Sequence, residues 1–180
     1  MNQDELLSKV QWLVDVEEIK RLKYRYFRCF DTADVEGIKD VFHPDVTLSV
    51  DGGVYKFKIE GRDAYLKMIR EGAHAEMITQ HHGHHPEIDI IGPNEATGIW
   101  YLQDNVWEFR RKIHITGTAF YRERYLRVDG SWVIKDIEFD RIYEIVDPIE
   151  TPPNVTRNYL AEHGVKLPAG ELEPFRRDAE

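Results

Sequence analysis

Residues 96–108 read ATGIWYLQDNVWE. Successive side chains of a β-strand point to opposite faces. Ala96, Gly98, Trp100, Leu102, Asp104 and Val106 therefore share one face, apolar except for Asp104. The alternate positions, Thr97, Ile99, Tyr101, Gln103, Asn105 and Trp107, are mixed and large, suited to cover a helix or a subunit interface. This stretch outruns the common strand of about 5–6 residues. Its neighbours share its character, because only Gly92-Pro93-Asn94, Arg110-Arg111-Lys112 and Val128-Asp129-Gly130-Ser131 interrupt the β-branched and aromatic sequence from Glu76 to Val146. The pattern predicts four long antiparallel strands in one strongly curved sheet. Curved over helices from the N-terminal part, such a sheet makes a cone with one open end, an α+β architecture.

The strand before it begins MITQHHGHHPEI, Met77 to Ile88. Alternation puts Met77, Thr79 and His81 on one face and Ile78, Gln80 and His82 on the other. Gly83 breaks the regularity, and Pro86 favours an edge or a strand end. On the strand after it, Ile113, Ile115, Gly117, Ala119 and Tyr121 form a face whose small residues leave room for a ligand. On the last strand, Val133, Lys135, Ile137, Phe139, Arg141 and Tyr143 share a face, with Asp136, Glu138 and Asp140 opposite and solvated. Burying a charge without a partner is costly, so Asp104 and Arg141 on apolar faces are informative. They pair with each other or serve a ligand.

Upstream, Leu6, Leu7, Val10 and Leu13 mark a short amphipathic helix over residues 3 to 14. Val16, Ile19, Leu22, Tyr26 and Phe30 mark a second, from about Asp15 to Phe30. Asp34 caps a short helix through Val41. His43-Pro44-Asp45 is read as a break. Strands Val46–Val50 and Val54–Ile59 flank an Asp51-Gly52-Gly53 turn, and a helix follows from Arg62 to Glu71 with Tyr65, Met68 and Ile69 inward. From Asp147 the chain is proline-rich, with a short helix expected from Asn154 to Glu162. The division is a cone domain over 1–146 and an extension over 147–180, packed on the surface or the pocket mouth.

The chain has 180 residues, enough for one domain with a substantial core at 42% hydrophobic content. A net charge of -9 argues against nucleic acid as a partner. No apolar run reaches the roughly 20 residues of a membrane span. Cys29 is the one cysteine, so no intrachain disulfide forms. A cytoplasmic protein without membrane association is the expectation.

A pocket lined by Tyr26, Asp31, His81, Asp104 and Arg141 follows from these faces, with Trp100, Leu102, Ala119, Tyr121 and Phe139 as substrate-binding walls. Several blocks also resemble a known family: Tyr26-Phe27-Arg28-Cys29-Phe30-Asp31, His81-His82-Gly83-His84-His85-Pro86-Glu87-Ile88, Ala96 through Asp104, and Arg141-Ile142-Tyr143-Glu144. They are similar to the SnoaL-like branch of the nuclear transport factor 2-like superfamily, which includes scytalone dehydratase and bile acid 7α-dehydratases. The resemblance implies catalytic roles for His81, Asp31, Tyr26, Asp104 and Arg141 in a cofactor-independent β-elimination from a carbonyl-containing steroid or polyketide. His81 would be the base, Asp31 its orienting carboxylate, Tyr26 a donor to the enolate or the leaving hydroxyl, and Asp104 a general acid. The resemblance further implies a homotrimer or homodimer through the outer face of the sheet at Ile99, Tyr101 and Trp107. A metal held by the histidine run is disfavoured, because His81 and His82 face opposite ways. The competing readings are a non-catalytic binding or structural cone subunit, and an isomerase or cyclase using the same base.

Overall fold

The structure, a computed structural model, describes residues 1–168. Its first element is a single long helix, α1 (Gln3–Asp31). The expected break near Asp15 is absent, since no Gly or Pro stands there to interrupt the backbone hydrogen bonds. Asn2 and Glu5 close its N-terminus as a reciprocal capping box. It ends at Thr32, where Ala33 turns to φ 52°. Asp34 caps α2 (Val35–Lys39) by accepting from the Gly37 N–H at 2.8 Å, so this helix stops short of Val41.

Strand β1 (Phe42–Asp51) runs through the expected break at His43-Pro44-Asp45, which is instead an irregularity in its pairing. It forms a hairpin with β2 (Lys56–Glu60). Helix α3 (Arg62–Gly72) buries Tyr65, Leu66 and Ile69. The four long strands follow with turns at the three expected places: β3 (Met77–Gly92), β4 (Glu95–Glu108), β5 (Ile113–Val128) and β6 (Ser131–Pro148). The sheet order is β2-β1-β6-β5-β4-β3. Pairing is antiparallel except between β1 and β6, which are parallel.

The core fills the space between α1, α2, α3 and the inner face of this curved sheet. Ile19, Tyr26, Ile38, Phe42, Tyr65, Trp100, Tyr125 and Ile134 are among its most deeply buried residues. Strand β4 keeps the expected alternation, with Ala96, Trp100, Leu102, Asp104 and Val106 all buried. Strand β6 does not. Its pairing with β5 shifts twice, and Lys135 and Ile142 are the extra residues at those bulges. Each bulge reverses which side chains face inward. Trp132 and Ile134 are buried before the first, Ile137 and Phe139 face in after it, and Tyr143 past the second is exposed. Val133, Lys135 and Tyr143 therefore do not share the inner face with Ile137, Phe139 and Arg141.

The segment after β6 folds back on the cone. Ile149 N–H bonds to the Lys112 carbonyl, and Ala75 N–H to that of Val165. Helix α4 (Tyr159–His163) is shorter than expected, and its Leu160 is buried. Residues 169–180 of the expected extension lie outside the described residues.

Candidate active site

The site starts from one cross-strand row. Pairing places His81 of β3 opposite Asp104 of β4, Asp104 opposite Gly117 of β5, and Gly117 opposite Glu144 of β6. Residues in register on one face are neighbours. One imidazole and two carboxylates are thus aligned across four strands. Gly117 makes the gap in this row. A Cβ there would lie 3.1 Å from an Arg141 guanidinium nitrogen and 2.6 Å from the Tyr143 carbonyl oxygen. The missing side chain gives Arg141 its place between the two carboxylates.

Arg141 donates through both terminal nitrogens to Asp104, each bond 2.7 Å, and through Nε to Glu144 Oε2 at 3.0 Å. All three side chains are nearly sequestered from solvent. The bidentate pair engages both Asp104 oxygens, which places Asp104 as an ion-pair partner rather than a proton donor. Tyr55 donates to Glu144 Oε2 at 3.1 Å. Burial, then the Glu144 charge, pushes the Tyr55 hydroxyl up to about 12, so it stays protonated.

Asp31 closes α1 and meets β3 from above. Its carboxylate accepts from three groups: Thr79 Oγ1 at 2.9 Å, the His81 N–H at 2.9 Å, and His81 Nδ1 at 2.6 Å. A carboxylate only accepts, so Nδ1 carries a proton, and in the neutral imidazole Nε2 is the nitrogen that presents its lone pair. The Phe30 ring packs edge-on against the imidazole at 4.9 Å and fixes its plane.

His81, Asp104, Arg141, Glu144, Thr79 and Tyr55 line a cavity of about 250 Å³, walled also by Phe30, Leu102, Tyr121 and Phe139. A second compartment of about 230 Å³ shares Phe30, Tyr55, Tyr121 and Phe139 with it. The second is lined further by Tyr26, Leu48, Val50, Phe57, Tyr65 and Met68. A larger concavity, about 690 Å³, lies on the outer face of the sheet among Thr47, Ser49, Arg122, Arg124, Asp136 and Glu138. It is an open polar groove without a base and acid brought together, so the smaller inner cavity is the better candidate.

The structure thus brings His81, Asp31, Asp104 and Arg141 together as expected. Tyr26 is displaced from that cluster: its hydroxyl bonds to the Tyr65 hydroxyl at 2.9 Å at the far compartment. Leu102, Tyr121 and Phe139 are cavity walls. Trp100 and Ala119 are fully buried in the core and line neither compartment; the Trp100 indole donates to Tyr125 instead. Among the described residues, His82, His84 and His85 join no cluster of three or more metal-ligating side chains. Sequence reasoning missed Tyr55, Thr79 as a donor, and Glu144. Thr79 was legible as the same-face neighbour of His81, whereas Glu144 was hidden by the second bulge of β6.

The profile of the SnoaL-like domain family matches residues 11–138. Among solved structures, a provisionally assigned scytalone dehydratase from Novosphingobium aromaticivorans superposes with a TM-score of 0.68 at 22% identity, over 81% of this chain and 96% of that one. A hexachlorocyclohexane dehydrochlorinase of type 2 gives 0.71 at 16% identity, over 82% and 99%. A type 3 dehydrochlorinase from Novosphingobium barchaimii gives 0.68 at 17% identity, over 81% and 99%. At these identities the likeness is one of fold, a helix packed on a curved six-stranded sheet. With the profile spanning most of its length, the chain belongs to the SnoaL-like domain family of the nuclear transport factor 2-like superfamily.

Proposed function

We propose that the chain is a lyase that starts a β-elimination by removing a proton next to a carbonyl, most simply a dehydration. The observation that carries this is the 2.6 Å contact of Asp31 with His81 Nδ1, which leaves Nε2 as a free base facing an unfilled cavity. Nε2 takes the proton from carbon, and Asp31 stabilises the imidazolium that results. The electrons pass through the enolate and expel the β-hydroxyl. The departing oxygen takes a proton from the imidazolium, which restores the neutral base. Tyr55, protonated and lining the same cavity as His81, takes over the role expected of Tyr26, its one hydroxyl proton turning from Glu144 to the developing enolate oxygen.

Arg141 faces inward but is occupied by Asp104 and Glu144, so it does not serve as an anchor for a substrate carboxylate. With two carboxylates on one guanidinium, the cavity favours an uncharged substrate. The two compartments together fall in the range of about 300–1,000 Å³ of small-ligand sites. A hydroxylated carbonyl compound of steroid or polyketide type, its ring body against Tyr121, Phe139 and Tyr26, fits this division. Structural relatives named as a dehydratase and as dehydrochlorinases support elimination as the reaction class. The extension from Asp147 packs beside Ala75, next to the cavity residue Met77, and we read it as bordering the mouth.

The test is a screen of hydroxylated 3-oxo steroids and aromatic polyketides for loss of water, with His81→Ala beside the wild type. A positioned base is worth about 10²–10⁴-fold, and the variant should lose that factor while folding normally. Turnover by His81→Ala at the wild-type rate would sink the assignment. Tight binding of several ring compounds with no turnover of any would favour the non-catalytic reading.

A further inference from the structure

The first half of α1 projects past the body of the protein. Residues 1–14 are all exposed, and the helix first meets the body at Asp15, which pairs with Arg127. At 1.5 Å per residue the overhang is about 18 Å. Leu6, Leu7, Val10, Leu13 and Val14 form a stripe along it, each between 43% and 60% exposed. With about 100° per residue, this stripe falls on the opposite side of the helix from the buried Asp15, Ile19, Leu22 and Tyr26. It does not extend the core; it faces away from it. An apolar stripe on a helix face that the body does not cover calls for a partner.

We propose that this stripe is the contact surface for a second copy of the chain, packed antiparallel across a two-fold axis at Val10. The stripe is self-complementary about that residue. Reversal about position 10 exchanges Leu6 with Val14 and Leu7 with Leu13 and leaves Val10 opposite itself, as an isologous interface requires. From Leu6 to Val14 the only charged residue is Lys9. Charges collect at the ends. Asp4 and Glu5 stand before the stripe and Asp15 directly after it. Because the stripe and the core lie on opposite sides of the helix, the two bodies sit on the outside and do not collide. The stripe exposes roughly 400 Å² of apolar surface per chain, within the range of about 300–600 Å² at which a patch is often functional. Doubled and given a polar rim, the contact reaches about 1,000–1,200 Å², the lower bound of stable interfaces. The outer face of the sheet is a weaker candidate, since Arg124 with Glu95 and Asp136, and Arg122 with Asp140, lace it with ion pairs.

The experiment is light scattering and crosslinking on the full chain. The wild type at micromolar concentration should be a dimer or another even-numbered assembly, and Val10→Asp should halve its mass. Val10→Cys should form a disulfide-linked dimer under mild oxidation, because that position faces itself and the native Cys29 is buried. Leu6→Cys alone should crosslink poorly, and Leu6→Cys with Val14→Cys should crosslink well. A monomeric wild type, a trimer indifferent to Val10→Asp, or equal crosslinking at positions 6 and 10 would each overturn the proposal. So would a wild type that is monomeric until it binds phosphatidylcholine–phosphatidylglycerol vesicles, which would make the stripe a membrane contact.

Discussion

At the scale of single residues, the candidate chemistry depends on how firmly one imidazole is held. Thr79 and the His81 N–H together occupy Asp31 and aim it at Nδ1. Replacing Thr79 by Val removes a donor without changing shape. The carboxylate then gains freedom, and turnover of an accepted substrate should fall about tenfold, the equivalent of about 1.4 kcal/mol, while stability changes by less than about 1 kcal/mol. Nitrogen-15 spectra of the imidazole offer a check that needs no substrate: the wild type should show the Nδ1–H tautomer, and Asp31→Ala should lose that preference. A second buried charge lies outside the reaction. Lys23, with no solvent exposure, pairs with Glu123 and sits 3.7 Å from the centre of the Tyr121 ring and 4.0 Å from that of Tyr26. Glu123 also accepts from Tyr125. Removing one partner of such a pair costs about 3–5 kcal/mol, because the other charge is left buried and alone. Lys23→Met should therefore lower the urea midpoint sharply, and adding Glu123→Gln, which keeps an acceptor for Tyr125, should restore most of the loss.

At the scale of elements, strand β3 carries the base and its irregularities set its place. A Cβ added at Gly83 would meet Phe27 Cε2 at 2.4 Å. The glycine thus lets α1 approach β3 closely enough for Asp31 to reach His81. In an ordinary strand, Gly→Ala stabilises by roughly 0.5–1 kcal/mol. Here Gly83→Ala should instead cost about 1–3 kcal/mol by overpacking, and a fall rather than a rise in the denaturation midpoint distinguishes the two. The same irregularities explain what could be read in the sequence. Strand β4 keeps period two from end to end, so the inward position of Asp104 was legible from alternation alone. The four-strand division was legible because glycine, proline and charged turns mark it. Strand β6 was not, because bulges at Lys135 and Ile142 leave no signature in composition and each inverts the faces that follow. Glu144 was lost for that reason, and Val133, Lys135 and Tyr143 were misplaced. Tyr26 could be assigned to the helix stripe, but periodicity does not say that its hydroxyl would be taken by Tyr65. The parallel pairing of β1 with β6 joins residues far apart in sequence, and no local pattern announces it.

At the scale of the whole molecule, the interior is unusually phenolic, and this shapes its response to pH. Burial pushes the hydroxyls of Tyr26, Tyr65, Tyr121 and Tyr125 well above the ordinary tyrosine range, and Tyr55 is pushed to about 12. A group with a raised folded pKa contributes stability that is fully present below its unfolded value, about 10 for tyrosine. That contribution disappears as pH rises toward the folded value, since the unfolded chain has then released a proton that the folded one still holds. Lys23 acts in the opposite sense. Burial lowers its pKa against the pull of Glu123, so between its folded value and about 10.4 rising pH removes a proton that the fold binds poorly and favours the folded state. One lysine opposes five tyrosines, and the tyrosines prevail above pH about 10. The urea midpoint should therefore hold steady through neutral pH and drop steeply beyond about 10, by up to about 1.4 kcal/mol per pH unit for each buried hydroxyl. Tyr65→Phe tests the attribution. It removes one of those protons and takes from the Tyr26 hydroxyl one of its partners. The variant should be less stable than the wild type at neutral pH, and its alkaline slope should be shallower by about one proton. An unchanged slope would place the alkaline transition outside this cluster.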